Sequence, residues 1–364
     1  MRTLLLCPEL FAHESGIQRI MRLYLKALCE SAGNGDRVDL VVLNDHELPD
    51  AKLADYSNDR LGLRLGCGKS KRQFLWAAVQ GASDADRLVC GHLGQLIAAW
   101  LARVFNPRLD YYLVAHGIEV WKPYSAIERL ALRRARRIFC VSEFTRREMQ
   151  RQIELPDWRF EVVPNALDPF FADDPSDGAL SGGPPVILSV ARLDPRERYK
   201  GVDHLIEALP AVRQAVPGAR LRIVGSGGDL HRLVALAALR GVADAVEFAG
   251  FVDDQKLREA YRDCTLFALP SFGEGFGLVF LEAMARGKPC LGARAGAVPE
   301  IIDQTTGVLA GYGNIPQITT QIVWALQQQW DSAAIKARAA QFSYPVFKAR
   351  LNKVLTQTAE DVPR

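Results

Sequence analysis

Residues 266–303 read LFALPSFGEGFGLVFLEAMARGKPCLGARAGAVPEIID, and the order of elements in this stretch decides the fold. The apolar run that ends at Pro270 predicts a buried strand. A loop with Gly273, Gly275 and Gly277 follows, and the apolar spacing from Leu278 onward predicts a helix. Strand, glycine-rich loop and helix make up the repeating unit of a parallel sheet with crossover helices. The glycines permit positive φ and let a ligand approach the main chain. Unpaired N–H groups at the start of a helix favour an anion such as a phosphate. Glu274 lies in the loop and Glu282 eight residues further on. The first carboxylate can accept hydrogen bonds from sugar hydroxyls beside a phosphate. The second can hold a polyol such as a ribose at the far side of a diphosphate. Read blandly, the same residues are a glycine-rich turn and a solvated helix glutamate, and the pair of glutamates favours the ligand reading.

Working outward, the same alternation fills the chain. Apolar runs at 3–7, 38–43, 87–90, 111–115 and 138–141 predict strands, and Ile17, Ile20, Met21, Tyr24, Leu25 and Leu28 recur at helical spacing after the first. A second series follows, with strands at 186–190, 220–224, 246–248, 265–269 and 288–291 and helical patterns at 203–216, 229–240, 254–263 and 278–286. Between the series, ADDPSDGALSGGPP (172–185) holds six Gly or Pro and three Asp, which reads as a linker. The expected organisation is an α/β protein of two Rossmann-like domains facing a cleft. The first covers 1–170, a linker 171–185, the second 186–344, and a last helix 345–364. Ligands of such sheets gather at the carboxyl ends of strands, so the loops after strands should hold the chemistry.

Composition agrees with two folded domains: 364 residues, 49% hydrophobic and 24% charged. With 45 Lys and Arg against 42 Asp and Glu, the net charge of +3 gives no footprint for nucleic acid. The seven cysteines include no C-x-x-C pair, which favours reduced, buried thiols over a disulfide or zinc framework. The apolar run at the amino terminus is too short for a signal peptide, and no stretch of about 18 apolar residues occurs to span a bilayer. A soluble, cytoplasmic protein is expected.

The segment 266–303, with its E-x7-E from Glu274 to Glu282, resembles the signature of the family 4 nucleotide-sugar glycosyltransferases. The resemblance implies the GT-B fold, retention of anomeric configuration and no metal held by an Asp-x-Asp motif. It extends over most of the chain. SVARLDPRERYKG (189–201) resembles the segment that supplies cations to the donor diphosphate, here Arg192 and Lys200. Two fixed cations there would stabilise charge growing on the leaving group. IVGSGGDL (223–230) resembles the second glycine loop, with Gly225 and Gly227 near the nucleotide. Phe276, Gly277 and Leu278 match the donor-binding turn, and Glu282 the ribose contact. FAGFVDDQKL (248–257) resembles the segment whose backbone edges contact the base. In the first domain, Gly16 matches the loop that closes on the phosphates, although Ser15-Gly16 stands where a Gly-Gly pair is common. AHGIEVW (115–121) resembles the segment whose histidine reaches the donor sugar, which points to His116. His92, in CGHLG, is the parallel candidate on the acceptor side. VPNALD (163–168) resembles the turn closing the first domain, with Ala166 in place of the usual Gly. The last helix crosses back to the first domain in relatives.

The implied reaction moves a hexose from GDP-mannose or a UDP-hexose to a glycan or lipid-linked acceptor in bacterial surface polysaccharide or glycolipid synthesis. A sugar-nucleotide epimerase or hydrolase on the same architecture, or a non-catalytic sugar-nucleotide-binding protein, is the alternative. No metal or other cofactor is expected. Asp84-Ala85-Asp86 precedes an apolar run instead of ending a strand and reads as a loop cap. Between Lys122 and Arg151, nine basic residues face three acidic ones, a local net of +6. Lys69, Lys71 and Arg72, followed by Phe74, Leu75 and Trp76, form a second cluster. These stretches read either as solvated helix faces or as a surface for anionic lipid on the inner face of the plasma membrane.

Overall fold

The computed structural model describes residues 1–12, 16–172 and 183–356. Two parallel sheets carry the chain. The first contains β1 (Arg2–Cys7), β2 (Arg37–Val42), β3 (Leu61–Gly66), β4 (Arg87–Cys90), β5 (Asp110–Ala115), β6 (Arg137–Cys140) and β7 (Phe160–Val162). The second contains β8 (Val186–Val190), β9 (Arg220–Val224), β10 (Val246–Gly250), β11 (Leu266–Leu269), β12 (Cys290–Ala293) and β13 (Gly307–Ala310). Their spatial orders are β3-β2-β1-β4-β5-β6-β7 and β10-β9-β8-β11-β12-β13. Both sheets are doubly wound α/β, as the alternation of runs implies. In each, strand order reverses beside the first strand, between β1 and β4 and between β8 and β11. Such a switch point leaves a crevice at the carboxyl ends of its two strands.

Side-chain alternation explains why the first sheet is covered on both faces. Leu4, Leu6, Leu88, Cys90, Tyr111 and Leu113 point into one core with the helices Lys71–Gly81, Leu96–Phe105 and Ala126–Arg134. Their neighbours Leu5, Val89, Tyr112, Val114 and Phe139 enter the other, with the helices Gly16–Ser31 and Tyr344–Thr356. The second sheet has its own core, built on Ile187, Leu221, Ile223, Leu266 and Ala268. All seven cysteines are buried and unpaired.

The chain divides into two compact units, Met1–Asp168 with Tyr344–Arg364, and Pro169–Ser343. The last helix thus belongs with the first unit. Phe347 meets Tyr24 edge-on at 5.0 Å, and Leu351 is fully buried. Each such side chain contributes about 1.5–3 kcal/mol of burial. The expected boundary at 170 falls two residues late, because Pro169–Ala172 is a short helix belonging to the second unit. Phe171 packs on Tyr261 at 6.4 Å, and Arg258 lies over Phe170 at 4.6 Å. Of the expected linker, residues 173–182 lie outside the described residues, as does Ser15 of the first glycine loop.

Candidate active site

At the switch point of the second sheet, the loop after β8 and the loop after β11 are joined by one ion pair. Lys200 Nζ donates to Glu274 Oε1 at 2.6 Å, with both side chains largely buried. Burial by itself would pull the Lys200 ammonium down. The Glu274 carboxylate, with Tyr199 and Glu197 adding, outweighs this and holds it above its ordinary value. Backbone contacts fix the pair. Phe272 N donates to Tyr199 O and Ala297 N to Glu274 O, each at 2.9 Å. Gly296 lies so close beneath that a Cβ there would stand 2.6 Å from Glu274 O.

Arg192 and Lys200 line the same small pocket, with Asp194, Glu197, Arg198 and Asp229. Arg192 is 65% exposed and engages Glu197 through both Nε and Nη2. It is therefore a surface cation with a local partner, whereas Lys200 is largely buried. Arg198 and Arg232 converge on Asp229, at 3.2 Å and 2.5 Å. Gly225 and Gly227 have a packing reason to be glycine. Their φ values are +139° and +153°, and a Cβ would lie 1.8 Å from Ala191 O and 2.1 Å from Leu193 O. They let the second glycine loop nest against the Arg192 segment, where Leu193 N donates to Ser226 O at 2.9 Å.

After β11, Gly277 takes a left-handed conformation and starts the seven-residue helix Leu278–Met284 without a side-chain cap. Phe276 is buried edge-on against Phe342, centroids 5.6 Å apart. Leu278 is half-buried. Glu282 is not a solvated helix residue: it is 5% exposed and accepts from the hydroxyl of Tyr261 at 2.7 Å. Sequence reasoning missed Tyr261, whose only signal is an aromatic on the apolar face of Asp254–Asp263.

In the first unit, His116 follows β5 and its Nε2 lies 2.8 Å from Gly91 O, after β4. Facing a carbonyl, Nε2 carries the proton, which leaves Nδ1 as an acceptor. Nδ1 is buried and has no hydrogen-bond partner. Glu119 holds the turn by accepting from His116 N at 2.6 Å. The His92 ring stacks at 6.3 Å from that of His116, and its Nδ1 accepts from Gly94 N at 3.0 Å. Burial pushes the His92 imidazole below its ordinary value, opposed by Glu119. Gly16 is the first residue of its helix. Ahead of it, the buried Asp45 accepts from Leu10 N and Phe11 N, both at 2.9 Å, a clamp that no motif marked. Asp84 and Asp86 are both engaged by Arg2, at the amino end of β4 and away from the ligand edge. Among the described residues, no group of three or more His, Cys, Asp or Glu is arranged to hold a metal ion.

The nine cations of 122–151 do not form one face. Arg136 pairs with Asp110, Arg137 with Glu161, Arg146 with Glu143 and Arg151 with Glu148. Lys122, Arg129, Arg133, Arg134 and Arg147 remain on the surface. Ile127 and Leu130 are exposed on the helix Ala126–Arg134, and Leu75 and Trp76 on Lys71–Gly81, beside Lys71 and Arg72. Leu96–Phe105, which ends in the exposed Val104 and Phe105, packs against both of these helices. No described helix is long and apolar enough to cross a membrane.

Residues 15–170 match Glycosyltransferase Family 4, and residues 171–342 match Glycosyl transferases group 1. A GDP-mannose-dependent alpha-(1-6)-phosphatidylinositol monomannoside mannosyltransferase of Mycolicibacterium smegmatis is 34% identical over 226 residues, 57% of this chain and 58% of that protein. The protein of the same description from Mycobacterium tuberculosis H37Rv is 31% identical over 260 residues, 65% of this chain and 66% of the relative. The chain thus spans less than two thirds of the length of these relatives. The crystal structure of Anabaena HepE in complex with UDP and glucose superposes with a TM-score of 0.79 at 20% identity, over 98% of this chain and 99% of that one. At that identity the likeness is one of fold. With the two family matches laid end to end from residue 15 to residue 342, over two doubly wound α/β units of GT-B type, the chain belongs to the family 4 glycosyltransferases.

Proposed function

We propose that this protein transfers a hexose, with retention of configuration, from a nucleotide diphosphate sugar to a glycan or lipid-linked acceptor in bacterial surface polysaccharide or glycolipid synthesis. The observation that carries the reading is the buried Lys200–Glu274 pair at the switch point of the second sheet. An ammonium kept charged by a carboxylate is a preorganised site for the diphosphate, and Arg192 adds a second cation on the same pocket. In the step itself, the bond from C1 to the β-phosphate oxygen breaks and its electron pair leaves with the diphosphate. The acceptor oxygen bonds C1 on the same face, and its proton passes to the leaving diphosphate. Glu274 orients the sugar hydroxyls, Glu282 serves the ribose, and His116 reaches the donor sugar. Side-chain cations supply the charge stabilisation that a divalent ion gives in other transferases, so no metal is needed.

GDP-mannose and UDP-hexoses are the donors proposed, the first supported by the names of the mycobacterial relatives. Those names also describe a lipid-linked acceptor, which supports a cytoplasmic protein working peripherally on the inner face of the plasma membrane. The exposed apolar and basic side chains of the helices at 71–81 and 126–134 suit an anionic surface. The test is a thermal-shift panel of GDP-, UDP- and ADP-sugars, followed by transfer assays with and without chelator. A rise in melting temperature with one donor, and full turnover in chelator, are expected. No shift with any nucleotide sugar would end the proposal.

A further inference from the structure

The loop that carries Glu274, the loop after β13 and the helix that follows Lys200 bring together aromatic rings to which the reaction assigns no role. Phe272, two residues before Glu274, is 60% exposed, and Tyr312, in the loop after β13, is 42% exposed. Their centroids stand 5.5 Å apart and their planes meet at 50°. His204, four residues past Lys200, meets Tyr312 at 4.9 Å and 68°. Its Nδ1 is buried and has no hydrogen-bond partner. The rings sit on pinned backbone. Phe272 N is bonded to Tyr199 O, and Gly311 N donates to Gln317 Oε1 at 2.6 Å. Asn314 then caps the next helix, accepting from Gln317 N at 3.0 Å.

Two large rings held in water on anchored loops at the ligand edge of a sheet mark a binding surface more than a packing remnant. We propose that Phe272 and Tyr312 form a stacking platform for a neutral pyranose ring of the glycan acceptor, with His204 and Asp203 as its polar rim. The inference rests on the glycosyl-transfer reading above and names a feature of its acceptor. A pyranose presents a puckered face of C–H groups ringed by hydroxyls, which an aromatic surface with polar neighbours can cover. Rings meeting at 50° make a shallow dihedral that follows such a face, where a flat nucleobase asks for a parallel slot. Asp203 accepts from His204 N at 3.1 Å and pairs with Arg232 at 3.1 Å, which holds its carboxylate in place to accept from ring hydroxyls.

The experiment is saturation-transfer NMR on the full chain, with methyl α-mannopyranoside and an α-linked mannotriose as probes and GDP or UDP present. Saturation of the ring C–H protons is expected in the wild type. Affinity for the trisaccharide should fall about tenfold, worth about 1.4 kcal/mol, in Phe272→Ala and in Tyr312→Ala, while Tyr312→Phe retains it. Each variant's melting-temperature rise with nucleotide reports that it is folded. If nucleotides stabilise the protein but neither saccharide is saturated, or the alanine variants bind as the wild type does, the platform is wrong and the transferase reading survives. If no nucleotide or nucleotide sugar stabilises the wild type, the transferase reading falls and takes the platform with it.

Discussion

Lys200 Nζ and Glu274 Oε1 meet at 2.6 Å across 74 residues of sequence, so this contact ties the loops after β8 and β11 and brings the charges of the site together. Removing one partner leaves the other buried and uncompensated. Lys200→Met should therefore cost about 2–3 kcal/mol, somewhat under the cost for a wholly buried pair. Glu274→Gln, a neutral isostere, should cost less stability but lower turnover on the order of 10²-fold or more. The double variant should regain stability relative to Lys200→Met and regain no turnover. Urea titrations set beside transfer assays check this. A folded, nucleotide-binding Glu274→Ala protein with normal turnover would remove Glu274 from the mechanism.

The sequence made the interior strands of both sheets legible because burial on both faces leaves uninterrupted apolar runs, as in TLLLC or VILSV. The strands it concealed are β3, β7 and β13, and each is a sheet edge. β3 carries Arg64 and the exposed Leu63, and β7 is three residues long with only Phe160 buried. Edge strands need no continuous run, so periodicity has little to register there. The site was legible where glycine and charge recur together, at Arg192, Lys200 and Glu274. What sequence could not supply were partners distant in the chain: Tyr261 on Glu282, and Gly91 on His116.

Gly225 and Gly227 separate a packing demand from a ligand demand. An alanine at either would drive Cβ into a carbonyl at positive φ, so each variant should lose about 3 kcal/mol or more and bind nucleotide poorly. Gly228 is the control. A Cβ there meets only Pro195 side-chain atoms at 3.5 and 3.6 Å, ordinary contact distances, and Gly228→Ala should stay near wild-type stability. Thermal unfolding of the three variants distinguishes the positions. Equal effects at 227 and 228 would contradict the close approach described.

Glu282 has two duties on this reading, accepting from Tyr261 and serving the donor ribose. Glu282→Ala removes the acceptor at 2.7 Å from the buried Tyr261 hydroxyl and should cost about 1–3 kcal/mol. Glu282→Gln keeps an acceptor for that hydroxyl and should be nearly as stable as the wild type. Both should weaken donor binding with a smaller effect on kcat. Tyr261→Phe tests the alternative that Glu282 is only structural, because it should disturb stability while leaving the donor KM close to wild type. A donor KM unchanged in Glu282→Gln would assign the residue to packing.

Glu30 fastens the last helix to the first unit. It accepts from Tyr344 Oη and Lys348 Nζ, both at 2.9 Å, and pairs with Lys26 at 3.1 Å. Burial alone would raise its carboxyl, but the bonds from Lys348, Tyr344 and Lys26 outweigh burial and hold it below its ordinary value. A carboxylate lowered on folding contributes fully above its unfolded pKa, near ~4.3, and loses that contribution as pH falls through the folded value. Glu30→Gln should therefore be less stable than the wild type by about 1 kcal/mol at pH 7. The gap should narrow as pH falls below the unfolded value and close once it passes the lower, folded one. Paired unfolding curves from pH 3 to 8 measure it, and a gap independent of pH would show that the carboxylate charge is not what fastens the helix.

The membrane reading depends on charges that remain after the ion pairs are set aside. Arg133 and Arg134 are exposed at the end of Ala126–Arg134, a helix that also exposes Ile127 and Leu130, while Trp76 is 64% exposed on Lys71–Gly81. Each basic residue near an anionic surface contributes about 1 kcal/mol, and the attraction is screened over a Debye length of roughly 10 Å at 0.1 M salt. The protein should float with vesicles containing anionic lipid at low salt and be released as salt rises. It should not float with neutral vesicles. Arg133→Glu with Arg134→Glu should reduce flotation sharply, because two attractions become repulsions. Trp76→Ser should weaken binding with little change in its salt dependence, since the indole contributes burial and no charge. Arg137 is instead 6% exposed and pairs with Glu161, so reversing it should lower stability as well as alter flotation. Failure to float with anionic vesicles at low salt would leave the basic stretch as a solvated surface.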